Sequence, residues 1–214
     1  MPRISPFEKY AEQYESWFEK NRWVYEAELR AVKAMMPTVV GRGLEIGVGT
    51  GRFAEPLGIK NGVEPSKRMG DIARNRGIQV LNAVAEELPF ENAAFDLVLM
   101  VTTICFVDDV NRALLEAHRI LSDGGILIIG FIDRNSKMGK MYLERQNDNV
   151  FYKEANFFSV EEIVEHLNHA GFTDLNFNQT IFGPLAETTE NEPVKPDHGE
   201  GSFVVIRTSP IGRN

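Results

Sequence analysis

Apolar residues in the first 36 positions recur at spacings of three and four, with Tyr10, Tyr14, Trp17 and Phe18 on one stripe. That period predicts amphipathic helices, the second beginning near Trp23 and stopped by Pro37. From Gly43 the pattern changes. Short apolar runs at 42–46, 59–63 and 79–82 read as strands, and 95–101 is almost continuously apolar, as in a strand buried on both faces. Between them lie a glycine-rich turn at 47–51 and helices starting at 52, at 66 and at 110, the last ended by Asp123-Gly124-Gly125 before another apolar strand at 126–132. Strands and helices alternating in this way predict a parallel, doubly wound sheet.

The last third departs from that rhythm. Residues 137–146 read as a helix, and Ser159 with Glu162 three residues on reads as a capping box for a helix that Gly171 ends. Residues 172–180 alternate as a strand, and 202–208 close the pattern with another. No helix separates these two strands, so they are expected to be antiparallel. Residues 183–200, rich in Pro, Gly and polar side chains, read as a long surface loop.

The chain has 214 residues, 43% apolar and 25% charged, which suits one domain over 1–214 with residues 1–36 as a helical cap. A formal net charge of −8 argues against nucleic acid or an anionic membrane as a partner. The N-terminus has no continuous apolar core, and the longest apolar run, 124–132, is strand-sized. A cytoplasmic location is expected. The single cysteine, Cys105, reads as a small buried hydrophobe and makes no internal disulfide. The histidine and cysteine spacing predicts no metal site.

The chemical signal is Leu44-Glu45-Ile46-Gly47-Val48-Gly49-Thr50-Gly51. Glycines at alternate positions bring bare backbone N–H groups to a turn that favours an anionic or electron-rich group. Gly49-Thr50-Gly51-Arg52-Phe53-Ala54 also fits the dinucleotide pattern, so a nicotinamide oxidoreductase is one reading. Glu64, ending the second strand, is placed to accept ribose hydroxyls in either cofactor. Glu45 separates the two: a carboxylate beneath the turn repels a pyrophosphate and attracts an ammonium. The bland alternative for Glu45 is an ion pair with Arg42.

These residues resemble the class I S-adenosylmethionine-dependent methyltransferases, in particular the small-molecule, quinone-biosynthesis-like (methyltransferase type 11) branch. The resemblance spans about 10–172, through GLEIGVGTGRFAEPLG, GVEPSKRMGDIAR, NAVAEELPFENAAFDLVLM, LLEAHRILSDGGILIIGFIDRNS and FFSVEEIVEHLNHAGF in that order. It implies a Rossmann-like α/β fold: a doubly wound, mostly parallel seven-stranded sheet with an antiparallel C-terminal strand, helices on both faces and the N-terminal cap. It implies S-adenosylmethionine as cofactor, S-adenosylhomocysteine as product and a small-molecule acceptor. Carried over, Glu45, Gly47, Gly49 and Gly51 hold the methionyl end, Glu64 with Pro65 the ribose, the backbone of Ala85 and Glu86 the adenine, and Met100, Val101 and Thr102 the sulfonium side.

Two positions depart from the pattern. Val84 stands where the family commonly has an acid for the adenine amino group, and Thr102-Thr103-Ile104-Cys105-Phe106 lacks the histidine frequent in quinone-type members. No catalytic residue is assigned. Four histidines are candidates for a base: His118, His166 and His169 fall on helices, where surface or packing roles are expected, and His198 lies in the long loop. Tyr10, Tyr14, Trp17 and Cys105 are candidates for the substrate pocket. Methyl transfer by in-line displacement, chiefly through positioning, is the expected function, beside a non-catalytic adenosyl-ligand module on the same fold and the oxidoreductase.

Overall fold

The computed structural model describes residues 4–212; residues 1–3 of the expected cap lie outside them. Three helices open the chain: α1 (Ser5–Lys9), α2 (Ala11–Lys20) and α3 (Arg22–Met35). The alternating part follows as β1 (Gly43–Ile46), β2 (Asn61–Val63), α4 (Lys67–Asn75), β3 (Gln79–Leu81), β4 (Phe95–Val101), α5 (Val110–Ile120) and β5 (Leu121–Ile132). The chain ends with α6 (Lys137–Glu144), α7 (Val160–His169), β6 (Phe172–Thr180), the two-residue β7 (Lys195–Pro196) and β8 (Phe203–Pro210).

The sheet order is β3-β2-β1-β4-β5-β8-β6-β7. β1 to β5 are mutually parallel, and β8 runs antiparallel between β5 and β6. The seven expected strands are all present. β7 adds an eighth at the edge, drawn from the loop at 183–200, where Asn178 faces Pro196. Proline there is tolerated because an edge strand has one side with no ladder to donate to.

Alternation along the strands divides the core. Val98, Met100, Leu127 and Ile129 face α5 and α7, whereas Leu97, Leu99, Val101 and Ile128 face α3 and α4. Burial on both faces is what produced the unbroken apolar runs. The capping box exists as expected: Glu162 N–H donates to Ser159 Oγ (3.3 Å) and Ser159 N–H to Glu162 Oε2 (2.8 Å).

One element differs. The helix expected from residue 52 is a series of turns over 51–58. Glu55 N–H donates to the Gly51 carbonyl and Leu57 N–H to Phe53, both four residues back, but Pro56 between them has no N–H. The helical ladder is therefore interrupted before it can propagate.

Candidate functional site

The strand order reverses direction between β1 and β4, and a crevice opens at the carboxyl ends of strands on either side of such a point. Here the glycine turn leaves β1 and Thr102-Thr103 leave β4. Gly47 has φ +67°, and a Cβ on it would stand 2.4 Å from Thr103 Cγ2, so only glycine lets these two strand ends approach. The Thr103 hydroxyl donates to the Val101 carbonyl (3.1 Å). Thr102 itself is left-handed at φ +52°, a conformation that costs a β-branched residue about 1–2 kcal/mol. Its N–H donates to the Gly130 carbonyl (2.7 Å), which holds it there. Such stored strain concentrates at binding sites.

A cavity of about 360 Å³ lies over these strand ends, within the size range of small-molecule sites. Gly47, Gly49, Glu64, Pro65, Ala85, Glu86 and Thr102 of the expected cofactor set line it, as do Tyr14 and Trp17 of the expected substrate pocket. Six others stand elsewhere. Gly51 packs against Ile78 and Ala73, and Met100 and Val101 are buried in the sheet. Tyr10 faces Phe151 at the junction of α1 and α2. Cys105 borders a small neighbouring void with Tyr152 and Phe157, its Sγ 3.5 Å from the Thr102 carbonyl.

Glu45 is the sixth. It is 2% exposed, lies outside the cavity wall beneath the turn, and its Oε2 has no hydrogen-bond partner among the described residues. Burial drives its pKa well above the usual carboxylate range; the Ala54 N–H opposes this and the charge of Glu64 adds to it. Arg42 is not its partner, since that guanidinium pairs with Asp96 at 3.0 Å. Glu64 is better served. Its Oε2 accepts the Gly49 N–H (3.0 Å) and its Oε1 the Ser66 N–H (2.9 Å). Burial still raises its pKa to about 7.

Helices α1 and α2 close the cavity from above. Tyr14 brings its hydroxyl within 3.8 Å of where a Gly49 Cβ would be, and its burial pushes the phenol pKa upward, with Glu64 and Glu45 adding to the rise. The cap is tied down by acids. Glu8 Oε2 accepts from Ser66 Oγ (2.5 Å), Glu12 pairs with Arg68, and Glu15 pairs with Arg52 (2.6 Å) and Arg76 (2.5 Å). Arg52 directly follows the glycine turn, and the other three partners lie in the stretch after β2.

Several wall residues carry no motif signal. Phe7, Phe106 and Phe151 cluster edge-to-face and tilted at one side of the cavity. Glu28, Tyr142 and Tyr152 form another part of its wall. Glu28 had a legible signal: it interrupts the buried stripe Val24, Ala27, Ala31, Val32 and Met35 of α3. Asp108 also lines the cavity, and its N–H donates to Glu86 Oε1 (2.7 Å), which sets it beside the wall that includes Val84. No histidine lines the cavity: His118 packs on Phe172, His166 meets Asn111, and His198 lies on Phe177. Among the described residues no group of acids, histidines or cysteine is placed to hold a metal, and no helix is long and apolar enough to cross a membrane.

Residues 44–129 match the family description "Methyltransferase domain". A crystal structure from Thermotoga maritima, described as a SAM-dependent methyltransferase and possible histamine N-methyltransferase, is 54% identical. It superposes with a TM-score of 0.92 over 95% of this chain and 97% of that one. An uncharacterized protein of Methanocaldococcus jannaschii is 47% identical over 97% of this chain and 100% of its own length. A demethylmenaquinone methyltransferase of Chlorobaculum tepidum is 32% identical over 58% of this chain and 54% of that protein.

Proposed function

This chain belongs to the S-adenosylmethionine-dependent methyltransferase family, and we propose that it transfers a methyl group from that cofactor to a small molecule held under the α1–α2 cap. The observation that carries this reading is a pair of buried acids without a cationic partner, Glu64 in the cavity wall and Glu45 beneath the turn. Glu45 and Glu64 are both buried, both have raised pKa values, and neither forms an ion pair with a described cation. Burying carboxylates in that way is costly unless something positive arrives. The cofactor brings an ammonium and a sulfonium. A dinucleotide would bring a pyrophosphate to the same place, which disfavours the oxidoreductase reading.

The cofactor, when bound, supplies the reactive methyl and its own leaving group. The protein's part is placement. Glu64 accepts the ribose hydroxyls while Pro65 shapes the turn below them. Gly47 and Gly49 leave room for the methionyl chain. Glu45, beneath the turn, acts on the ammonium through its field, with Gly51 keeping the turn seated on α4. The backbone of Ala85 and Glu86 meets the adenine, and Asp108, whose N–H donates to Glu86 Oε1, adds an acid to the wall where Val84 offers none. Thr102 borders the reacting centre, with Met100 and Val101 fixing it from within β4. Tyr14 and Trp17 separate that centre from solvent, which aligns the acceptor and excludes water.

Thermal unfolding with S-adenosylmethionine, S-adenosylhomocysteine and NADH tests the reading. The first two are expected to raise the melting temperature by several degrees at about 100 times their Kd, and NADH to leave it unchanged. Stabilisation by NADH alone would contradict it. Binding without methyl transfer to any acceptor would point to a non-catalytic adenosyl-ligand module.

A further inference from the structure

Helix α3 places a third carboxyl at the cavity, away from the glycine turn. Glu28 is 4% exposed, lines the cavity, and makes no hydrogen bond or ion pair with another described residue. Its neighbours on α3 at helical spacing are Val24, Ala31 and Val32, all buried, so the position belongs to the apolar face of the helix. An apolar side chain there would cost nothing in desolvation. A buried acid without a partner is costly, and in a cavity wall it signals a partner that arrives with a ligand.

The surroundings indicate the chemistry of that ligand. Tyr14, Trp17, Phe18, Tyr142 and Tyr152 line the same cavity. Burial raises the phenol pKa values of Tyr14, Tyr142 and Tyr152, and the ionised form of Glu28 adds to each. Aromatic faces around a carboxylate favour a cation with apolar substituents. Resting on the methyltransferase reading, we infer that Glu28 selects an acceptor bearing a primary or secondary amine, pairing with its ammonium on entry and then taking one proton from its nitrogen.

The proton balance is simple. Pairing with the ammonium leaves Glu28 as the carboxylate, its own proton passing to solvent; one N–H bond of the ammonium then breaks and an O–H bond forms on that carboxylate, leaving the nitrogen neutral with a free lone pair, the form needed to accept a methyl group. Burial raises the Glu28 pKa to about 8, which brings the carboxyl close enough to an amine in basicity for this exchange. A carboxylate of ordinary acidity would hold the ammonium but would not relieve it of its proton.

The test uses the protein saturated with S-adenosylhomocysteine and calorimetric titration of matched pairs: 2-phenylethylamine against 2-phenylethanol, and tryptamine against tryptophol. The wild type is expected to bind at least one amine tenfold or more tightly than its alcohol. Glu28→Gln is expected to remove that preference while S-adenosylhomocysteine affinity stays within twofold, which also reports that the variant is folded. Equal binding of amine and alcohol across both pairs, binding of neither, or a preference that survives Glu28→Gln overturns the inference. If Glu28→Gln fails to fold, the wild-type comparison alone decides. Failure of the wild type to bind S-adenosylhomocysteine would strike the methyltransferase reading instead, so the two failures are distinguishable.

Discussion

Glu64 accepts the backbone N–H of Gly49 at 3.0 Å, which locks the end of β2 to the glycine turn. The same carboxylate takes the Ser66 N–H, and Ser66 Oγ in turn caps α4 by accepting from Met69 N–H. The side chain proposed to hold the ribose is therefore fixed before any ligand arrives, and little conformational freedom remains to be lost on binding.

Glu64→Gln tests that arrangement. The amide keeps the shape but offers one oxygen acceptor where the carboxylate has two, so one of the two N–H donors or a ribose hydroxyl loses its partner. Hydrogen bonds to a charged acceptor contribute about 1.5–3 kcal/mol. Calorimetry should show S-adenosylhomocysteine binding weakened about ten- to a hundredfold.

Acidity gives a second handle. With its pKa near 7 in the ligand-free protein, Glu64 is partly protonated at neutral pH. Accepting two hydroxyls favours the carboxylate, so binding releases a proton. Affinity for S-adenosylhomocysteine should fall as pH drops below about 7, with a limiting slope of about tenfold per pH unit from this group, and level off above about 8. The charged or titratable groups acting on it are Glu8, Glu45 and Tyr14, none of which supplies positive charge to suppress the effect.

Stability of the ligand-free protein should show the matching sign. Glu28 and Glu64 have folded pKa values of about 8 and about 7, above the ordinary 4.5. The folded state therefore binds more protons than the unfolded chain between about pH 5 and 8, and stability should decline as pH rises through that window. Asp96, held down at about 2 by its hydrogen bond and charge pairing with Arg42, is ionised throughout and adds no slope there. Denaturant midpoints at pH 5.5 and 8 check this; a midpoint that rises with pH would contradict it.

The strand ends give a packing prediction. Gly47→Ala adds a methyl 2.4 Å from Thr103 Cγ2 at a left-handed φ. Overpacking and backbone strain together should cost about 2–4 kcal/mol. Adding Thr103→Ala removes the struck methyl and hydroxyl, so the double variant should recover part of the loss in urea unfolding.

Much of this architecture was legible in the sequence because burial on both faces leaves a continuous apolar run, as in 95–101 and 126–132. The turn over 51–58 was not, because apolar spacing favours a helix and one missing N–H at Pro56 decides otherwise. β7 escaped because its residues, Lys195 and Pro196, carry no strand pattern and pair only through the backbone of β6. Glycine and acid spacing located the crevice, but spacing places a residue near a strand end without saying which way its side chain leaves. Glu45 accordingly lies below the turn while Gly49 and Glu64 face the cavity. Phe151 and Tyr152 reach the same wall from far along the chain, a convergence only packing reveals.

The cap supplies a further prediction. Glu15 bridges Arg52 and Arg76 with roughly a fifth of its side chain exposed. Glu15→Ala should leave the sheet intact yet speed amide hydrogen exchange in α1 and α2, because local opening is governed by the few contacts that hold a segment. Ligand affinity should fall by about threefold to tenfold. Unchanged exchange in both helices would contradict the role given to this acid.

A crystal structure of the complex with S-adenosylhomocysteine addresses the central claim most directly. Both ribose hydroxyls are expected within about 2.5–3.0 Å of the Glu64 carboxylate, with the amino-acid end over Gly47 and Gly49. A ribose turned away from Glu64, or an adenosyl group bound outside this cavity, would contradict the account.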